Sequence, residues 1–287
     1  MRCINICCIS GRDFLRGREI YMKNLSKKTK AERIAQRKQY FFVIHELTTR
    51  EIKRKYARSY LGIIWSVLNP LLSMIVISLI FSQLFKRDIE NFPIYYLCGY
   101  ILWQMFTGAT NAAMTTLVDN KMLLIKVKLP MEIFVLARVY TALVNLGYSL
   151  AAFVVMLFVF GVRPSWALLF FPVIVLFLLL FSLGIAYILA TAYVFFGDVK
   201  HLYSVLLTLW MYCSAIFYPV ESLHGIIRIV ISYNPIFNYI DALRQVVMYG
   251  QLPPGIEVVR MAVWGIVMYL IGYHIFKKHK NEVMQKI

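Results

Sequence analysis

The sequence is short of charge: Asp, Glu, Lys and Arg make up 16% of its 287 residues, against roughly 25% in soluble domains. So few charged groups cannot cover a water-facing globular surface. With 60% hydrophobic content gathered in long uncharged runs, the bilayer is the expected solvent. Runs such as Leu168 to Ala186 do not alternate apolar with polar, which argues against a transmembrane barrel and for helices. Motifs that carry chemistry are missing too. No G-x-x-x-x-G-K-[ST] loop is present to cradle phosphates, so ATP binding by this chain in the P-loop manner is not expected. Neither H-E-x-x-H nor G-x-S-x-G occurs, and Asp198, Glu221, Asp241 and Glu257 stand isolated, so catalysis is not expected. Cys3, Cys7, Cys8, Cys98 and Cys213 form no zinc or disulfide pattern, and His201 and His224 are lone, so no metal is expected. The first sixty residues lack a leader-type apolar core with a small-residue cleavage site, which makes the first span its own insertion signal.

Six apolar stretches have about the 20-residue length of a membrane span: 62 to 85, 94 to 117, 133 to 160, 167 to 195, 203 to 220 and 258 to 276. Pro70 falls inside the first and Pro172 early in the fourth, and either can bend its helix. The segment 222 to 240 is also apolar, but His224, Arg228, Asn234 and Pro235 interrupt it. It is read as an outer re-entrant or interfacial helical pair between spans five and six. Orientation follows from the basic residues. Sixteen Lys and Arg precede Gly62, whereas the loops 86 to 93, 161 to 166 and 219 to 257 hold two, one and two. Positive-inside reasoning therefore places both termini in the cytoplasm with six spans between. The same placement explains the net charge of +17 without nucleic acid, because the basic residues flank apolar runs instead of sharing one soluble face.

The expected organisation is a basic cytoplasmic segment over 1–39, an amphipathic interfacial helix over 40–61, a six-span domain over 62–276 and a basic cytoplasmic tail over 277–287. In the interfacial helix Phe41, Ile44, Leu47, Ile52 and Tyr56 alternate with Arg50, Lys53, Arg54, Lys55 and Arg58, a composition suited to the headgroup plane. No ionisable residue lies at mid-span, unlike carriers that couple to protons or sodium. Arg138, about five residues into the third run, is placed to snorkel to the inner interface; contact with a substrate phosphate is the alternative. Any active transport then needs a partner as its motor. That partner can push only on inner loops, of which 119 to 130, with Asp119, Lys121, Lys126 and Lys128, and 197 to 202, with Asp198, Lys200 and His201, are the candidates; ordinary helix connectors have the same look. Aromatics at helical spacing, Tyr96, Tyr100 and Trp103 in the second span and Tyr203, Trp210 and Phe217 in the fifth, form faces on which sugar rings stack, or else interfacial anchors.

The order of motifs Arg50-Glu-Ile-Lys-Arg-Lys-Tyr-Ala-Arg-Ser-Tyr-Leu-Gly62, Trp65, Asn69-Pro70-Leu71, Asn91-Phe-Pro-Ile-Tyr-Tyr-Leu-Cys-Gly99, Lys126-Val-Lys-Leu-Pro130, Phe195-Phe-Gly-Asp-Val-Lys-His-Leu202, Ile216-Phe-Tyr-Pro219 and Tyr233-Asn-Pro235 resembles the ABC-2 type polysaccharide exporter permeases. These export O-antigen, capsule or teichoic acid chains. The resemblance spans residues 40 to 276. It implies a permease in the bacterial plasma (inner) membrane that moves a lipid-linked polysaccharide between two copies of itself, driven by a cytosolic ATP-binding cassette subunit that holds the ATP and Mg. It also implies an interfacial gate helix carrying Arg50, Lys53, Arg54, Tyr56 and Arg58, coupling segments at 119–130 and 197–202, and a glycan pathway past the aromatic faces. Gly197 departs from the family, which often has Arg there, so Asp198 and Lys200 carry the expectation for the second coupling segment. An ABC-2 permease for a drug or simple lipid, and an ATPase-independent glycolipid flippase, stand as alternatives.

Overall fold

The computed structural model describes residues 30–57, 62, 64–84, 91–126, 129–220 and 223–287. All regular elements among them are helical: α1 Lys30–Tyr56, α2 Ile64–Leu84, α3 Phe92–Met114, α4 Thr116–Asp119, α5 Lys121–Lys126, α6 Glu132–Val159, a 3₁₀ turn Trp166–Phe170, α7 Phe171–Phe195, α8 Val199–Tyr212, α9 Ile226–Ser232, α10 Pro235–Met248, α11 Gly255–Lys278 and α12 Lys280–Lys286. Two compact units divide between His45 and Glu46. In the first, Phe41 and Phe42 are exposed on α1 close to Arg37 and Lys38, a mixed surface that suits a headgroup layer.

Among the described residues, four helical segments are long and apolar enough to cross a membrane: Ile64–Phe81, Glu132–Val159, Trp166–Phe195 and Gly255–Lys278. The second and fifth expected spans fall outside this set for different reasons. At 23 residues α3 is long enough, but Gln104, Asn111 and its tyrosines dilute its apolar character. Most of its surface is buried against α2, α6, α7 and α10, so it occupies the middle of the bundle and needs little lipid-compatible surface. The fifth expected span, 203 to 220, is realised as the 14 residues of α8, or about 21 Å of helix. It stops at Cys213, and Ala215 then takes a positive φ of 47°. The interfacial helix expected from 40 to 61 is instead the longer α1, ending at Tyr56.

The closest helix pair is α7 with α11, and glycines set their distance. A methyl group at Gly184 would collide with the Met268 carbonyl, one at Gly272 with the Gly184 carbonyl, and one at Gly265 would lie 2.8 Å from the Phe177 carbonyl oxygen. Lipid tails give helices no hydrophobic reason to associate, so backbone-to-backbone approach over small residues supplies the contact. Aromatics then fill the core beside this pair. Phe181 packs edge-on to Trp210, Phe106 packs edge-on to Trp210, and Tyr187 meets Tyr273 and Phe276.

Tyr233-Asn234-Pro235 shows how a short motif builds local structure. Pro235 opens α10 where its missing N–H costs nothing, and the Asn234 carboxamide oxygen accepts from the Ile236 N–H at 3.0 Å. The same oxygen accepts the Trp210 indole N–H at 2.9 Å, while the Asn234 amide donates to the Cys213 carbonyl at 2.8 Å. One side chain thus caps α10 and holds the end of α8. Nearby, the buried Arg244 guanidinium donates to the Ala215 and Ile216 carbonyls at 3.0 and 3.2 Å and lies 3.4 Å from the Tyr95 ring centre. It repairs the carbonyls freed where α8 ends.

Candidate functional site

Three chain segments meet at one end of the bundle: the last turns of α1, the short α4 and α5, and the first turns of α6. Arg138 is the residue that joins them. Its guanidinium forms an ion pair with Glu51 of α1, lies 3.8 Å from the Asp119 carboxylate, and donates through Nε to the Thr116 hydroxyl at 3.2 Å. The Arg138 and Glu51 side chains are 11% and 16% exposed, so the pair is largely shielded from water. Arg50 adds a second stitch, donating to the Asn120 carboxamide oxygen at 2.7 Å. Thr48 adds a third, donating to the Ala137 carbonyl at 3.3 Å. The sequence expectation for Arg138 offered a snorkelling side chain or a phosphate ligand. In the structure its charge is paired with Glu51 and Asp119.

The expected coupling residues fall into two groups. Asp119 belongs to the junction just described and also accepts from the Thr115 hydroxyl at 2.8 Å. Lys121 and Lys126 on α5, and Asp198, Lys200 and His201 at the start of α8, are exposed, as a docking surface requires. Lys128 lies outside the described residues. The last residues, expected as a basic tail, form α12, which packs beside both segments: Lys280 pairs with Glu132 at 3.1 Å, the His279 ring meets Phe195 edge-on at 6.1 Å, and Lys286 lies 4.8 Å from the Phe195 ring centre. Glu132 follows the first candidate segment and Phe195 precedes the second. No pattern in the sequence marks this contact.

On α1, Lys53 and Arg54 are exposed, and the half-buried Tyr56 hydroxyl bonds the Ser66 hydroxyl of α2. Arg58 lies outside the described residues. The aromatics expected along a passage are drawn into the bundle to different degrees. Tyr96 (2% exposed), Trp103 (6%) and Tyr203 (6%) are buried, and the Tyr203 hydroxyl donates to Thr110 at 2.7 Å. Tyr100, Trp210 and Phe217 are partly exposed. Tyr96 stacks on both Tyr100 and Phe217, so this buried ring backs two of the accessible ones. Among the described residues no group of three His, Cys, Asp or Glu side chains is placed to hold a metal.

The ABC-2 type transporter family matches residues 43–248, from the interfacial helix to the end of α10. The chain belongs to this family. It is 30% identical to the O-antigen export system permease protein RfbA of Myxococcus xanthus over 87% of this chain and 96% of that relative. A second O-antigen export system permease protein RfbA, from Klebsiella pneumoniae, is 28% identical over 84% of this chain and 93% of its own length. The polysialic acid transport protein KpsM of Escherichia coli is 22% identical over 84% and 95%. The family match includes Glu51, Asp119, Arg138, Asp198 and Lys200.

Proposed function

We propose that this ABC-2 chain is the membrane-spanning subunit of an exporter that carries a lipid-linked polysaccharide, of the O-antigen or capsule type, across the bacterial inner membrane. Energy comes from ATP, with its Mg, bound by a separate cytosolic subunit, and two copies of the chain enclose the passage. Both termini face the cytoplasm and six segments span, with α3, and the short α8 together with the chain that follows it, completing the four segments of sufficient length and apolarity. The ring face of Tyr100, Trp210 and Phe217 lines the passage, with Tyr96, Trp103 and Tyr203 behind it. The coverage of full-length relatives named for polysaccharide export carries this reading; the exposed charges at both coupling segments support it.

The ATP-binding subunit acts on Lys121 and Lys126 of α5, on Lys128, and on Asp198, Lys200 and His201 at the start of α8. A motor shifts a conformational equilibrium only through contacts that differ between states. Glu51, Asp119 and Arg138 give such contacts a path to α1: moving α4 loads the ion pair that holds the helix carrying Arg50, Lys53, Arg54 and Tyr56, with Arg58 just beyond. Asp198→Ala with Lys200→Ala is expected to leave membrane insertion intact and to uncouple ATP hydrolysis from glycan export. Unchanged export by the double variant would overturn the placement of the second coupling segment.

A further inference from the structure

Polar side chains that a bilayer helix has no general reason to carry converge between α1, α2, α3 and α6. Lys55, Tyr56, Trp65, Ser66, Asn69, Gln104, Asn145 and Ser149 line a cavity of about 180 Å³. Lys55 and Asn145 also border a neighbouring cavity of about 410 Å³ that reaches Arg54 and Thr141. The two cavities adjoin at Lys55 and Asn145, and together they make up the cleft. Its inner part lies deep: Asn145 is ~20 Å along α6 from Glu132, and Gln104 is ~18 Å along α3 from Phe92.

Asn145 Oδ1 is buried without a hydrogen-bond partner, a costly state for a polar atom at membrane depth. The neighbouring polar groups engage each other only in part: Gln104 donates to the Tyr100 hydroxyl at 2.5 Å, and Ser149 to the Ser66 carbonyl at 3.3 Å. At the mouth the chemistry changes. Arg54 and Lys55 are exposed cations, and Trp65, 46% exposed, presents an indole face. Aligned amides and hydroxyls inside, an aromatic face at the rim and cations at the entrance match a sugar ring joined to a phosphate.

We propose that this cleft binds the sugar–phosphate junction of the lipid-linked glycan, with Asn145 and Gln104 reading sugar hydroxyls, Trp65 stacking on the ring and Arg54 and Lys55 holding the phosphate. The inference rests on the polysaccharide-export reading and names the part of the substrate that is recognised first. It places recognition within one protomer, at α1, α2, α3 and α6.

The test uses the full-length chain with its ATP-binding partner in phosphatidylcholine nanodiscs. Three probes are titrated: a short-chain prenyl phosphate carrying one hexose, the same prenyl phosphate without sugar, and phosphatidylglycerol. The sugar-bearing probe is expected to bind at least tenfold more tightly than either other probe. Asn145→Leu and Gln104→Leu should abolish that tenfold preference while leaving the ligand-free unfolding midpoint unchanged or higher, because apolar side chains of similar size suit the bilayer. Trp65→Ala, at an exposed position, should weaken the sugar-bearing probe without changing the fold. Equal binding of the first two probes, equal binding of phosphatidylglycerol, or a retained sugar preference in Asn145→Leu and Trp65→Ala would overturn the proposal. A ligand-free midpoint that falls in Asn145→Leu would assign Asn145 to packing and overturn it too. Restoration of surface polysaccharide by the wild-type chain in a deletion strain is scored separately. Restoration alongside failed probe binding rejects the cleft alone, whereas failure to restore rejects the export reading.

Discussion

Replacing Arg138 with Met removes the cation at the junction while keeping most of the side-chain volume. Three contacts are lost, of unequal weight. The Asp119 carboxylate is 47% exposed and 3.8 Å away, so its share is screened to about 0–1 kcal/mol. The hydrogen bond to Thr116 contributes about 1 kcal/mol. The main cost is Glu51, left at 16% side-chain exposure with only the half-exposed Arg50, 3.7 Å away, as a counter-charge; losing the better-placed member of such a pair costs about 2–3 kcal/mol. Arg138→Met should therefore destabilise by about 4 kcal/mol. Glu51→Gln keeps an acceptor facing Arg138 and should cost about 1–2 kcal/mol. The double variant leaves no unpaired charge, so a double-mutant cycle should show a coupling energy of about 2 kcal/mol. Reversible unfolding in detergent measures the cycle, and coupled ATPase and export assays read the functional side. Additive effects within about 0.5 kcal/mol would refute the view that Glu51 and Arg138 act as one unit.

Other perturbations separate the remaining parts. Gly184→Ala should cost about 1–3 kcal/mol by forcing α7 away from the Met268 carbonyl, whereas Gly147→Ala, with open space around it, should be neutral; thermal melts of the two variants check this. Arg244→Met strips donors from the Ala215 and Ile216 carbonyls and should cost about 2–4 kcal/mol, with faster amide exchange confined to residues around 213–220. Lys280→Glu sets two carboxylates against each other at Glu132 and, with Val283→Asp, should release α12 from Phe195; ATP hydrolysis per glycan exported should rise while membrane insertion is unchanged.

Much of the helical arrangement was legible because lipid imposes a simple rule on the helices that touch it. The runs at 62 to 85, 133 to 160, 167 to 195 and 258 to 276 reappear as α2, α6, the 3₁₀ turn with α7, and α11, within a few residues. The rule fails where a helix faces protein instead. α3 is largely buried and so keeps the partly buried Gln104, and α8 ends early because Asn234 and Arg244 satisfy the backbone groups that a full span would have paired internally. The start of α1 was missed by ten residues because the helix continues into a basic segment without apolar periodicity.

The junction was half legible. Arg138 stood out as a cation inside an apolar run, but its partners Glu51 and Asp119 are remote in sequence and carry no spacing signal. The aromatic faces were found by periodicity, which marks a shared face without saying whether protein or substrate covers it; Tyr96, Trp103 and Tyr203 proved to be covered by protein. The glycine contacts of α7 and α11 also escaped. Gly184, Gly265 and Gly272 are meaningful only once the two helices are known to be neighbours.

Whether this ABC-2 chain is the permease half of an ATP-driven exporter is decided by purifying the tagged protein from its own cells in mild detergent and measuring, by quantitative mass spectrometry, what accompanies it. A cytosolic ATP-binding cassette subunit at equal stoichiometry, lost or weakened by Asp198→Ala with Lys200→Ala, is the predicted result. A chain that reproducibly purifies without any ATP-binding subunit would contradict the account and favour an ATPase-independent glycolipid flippase.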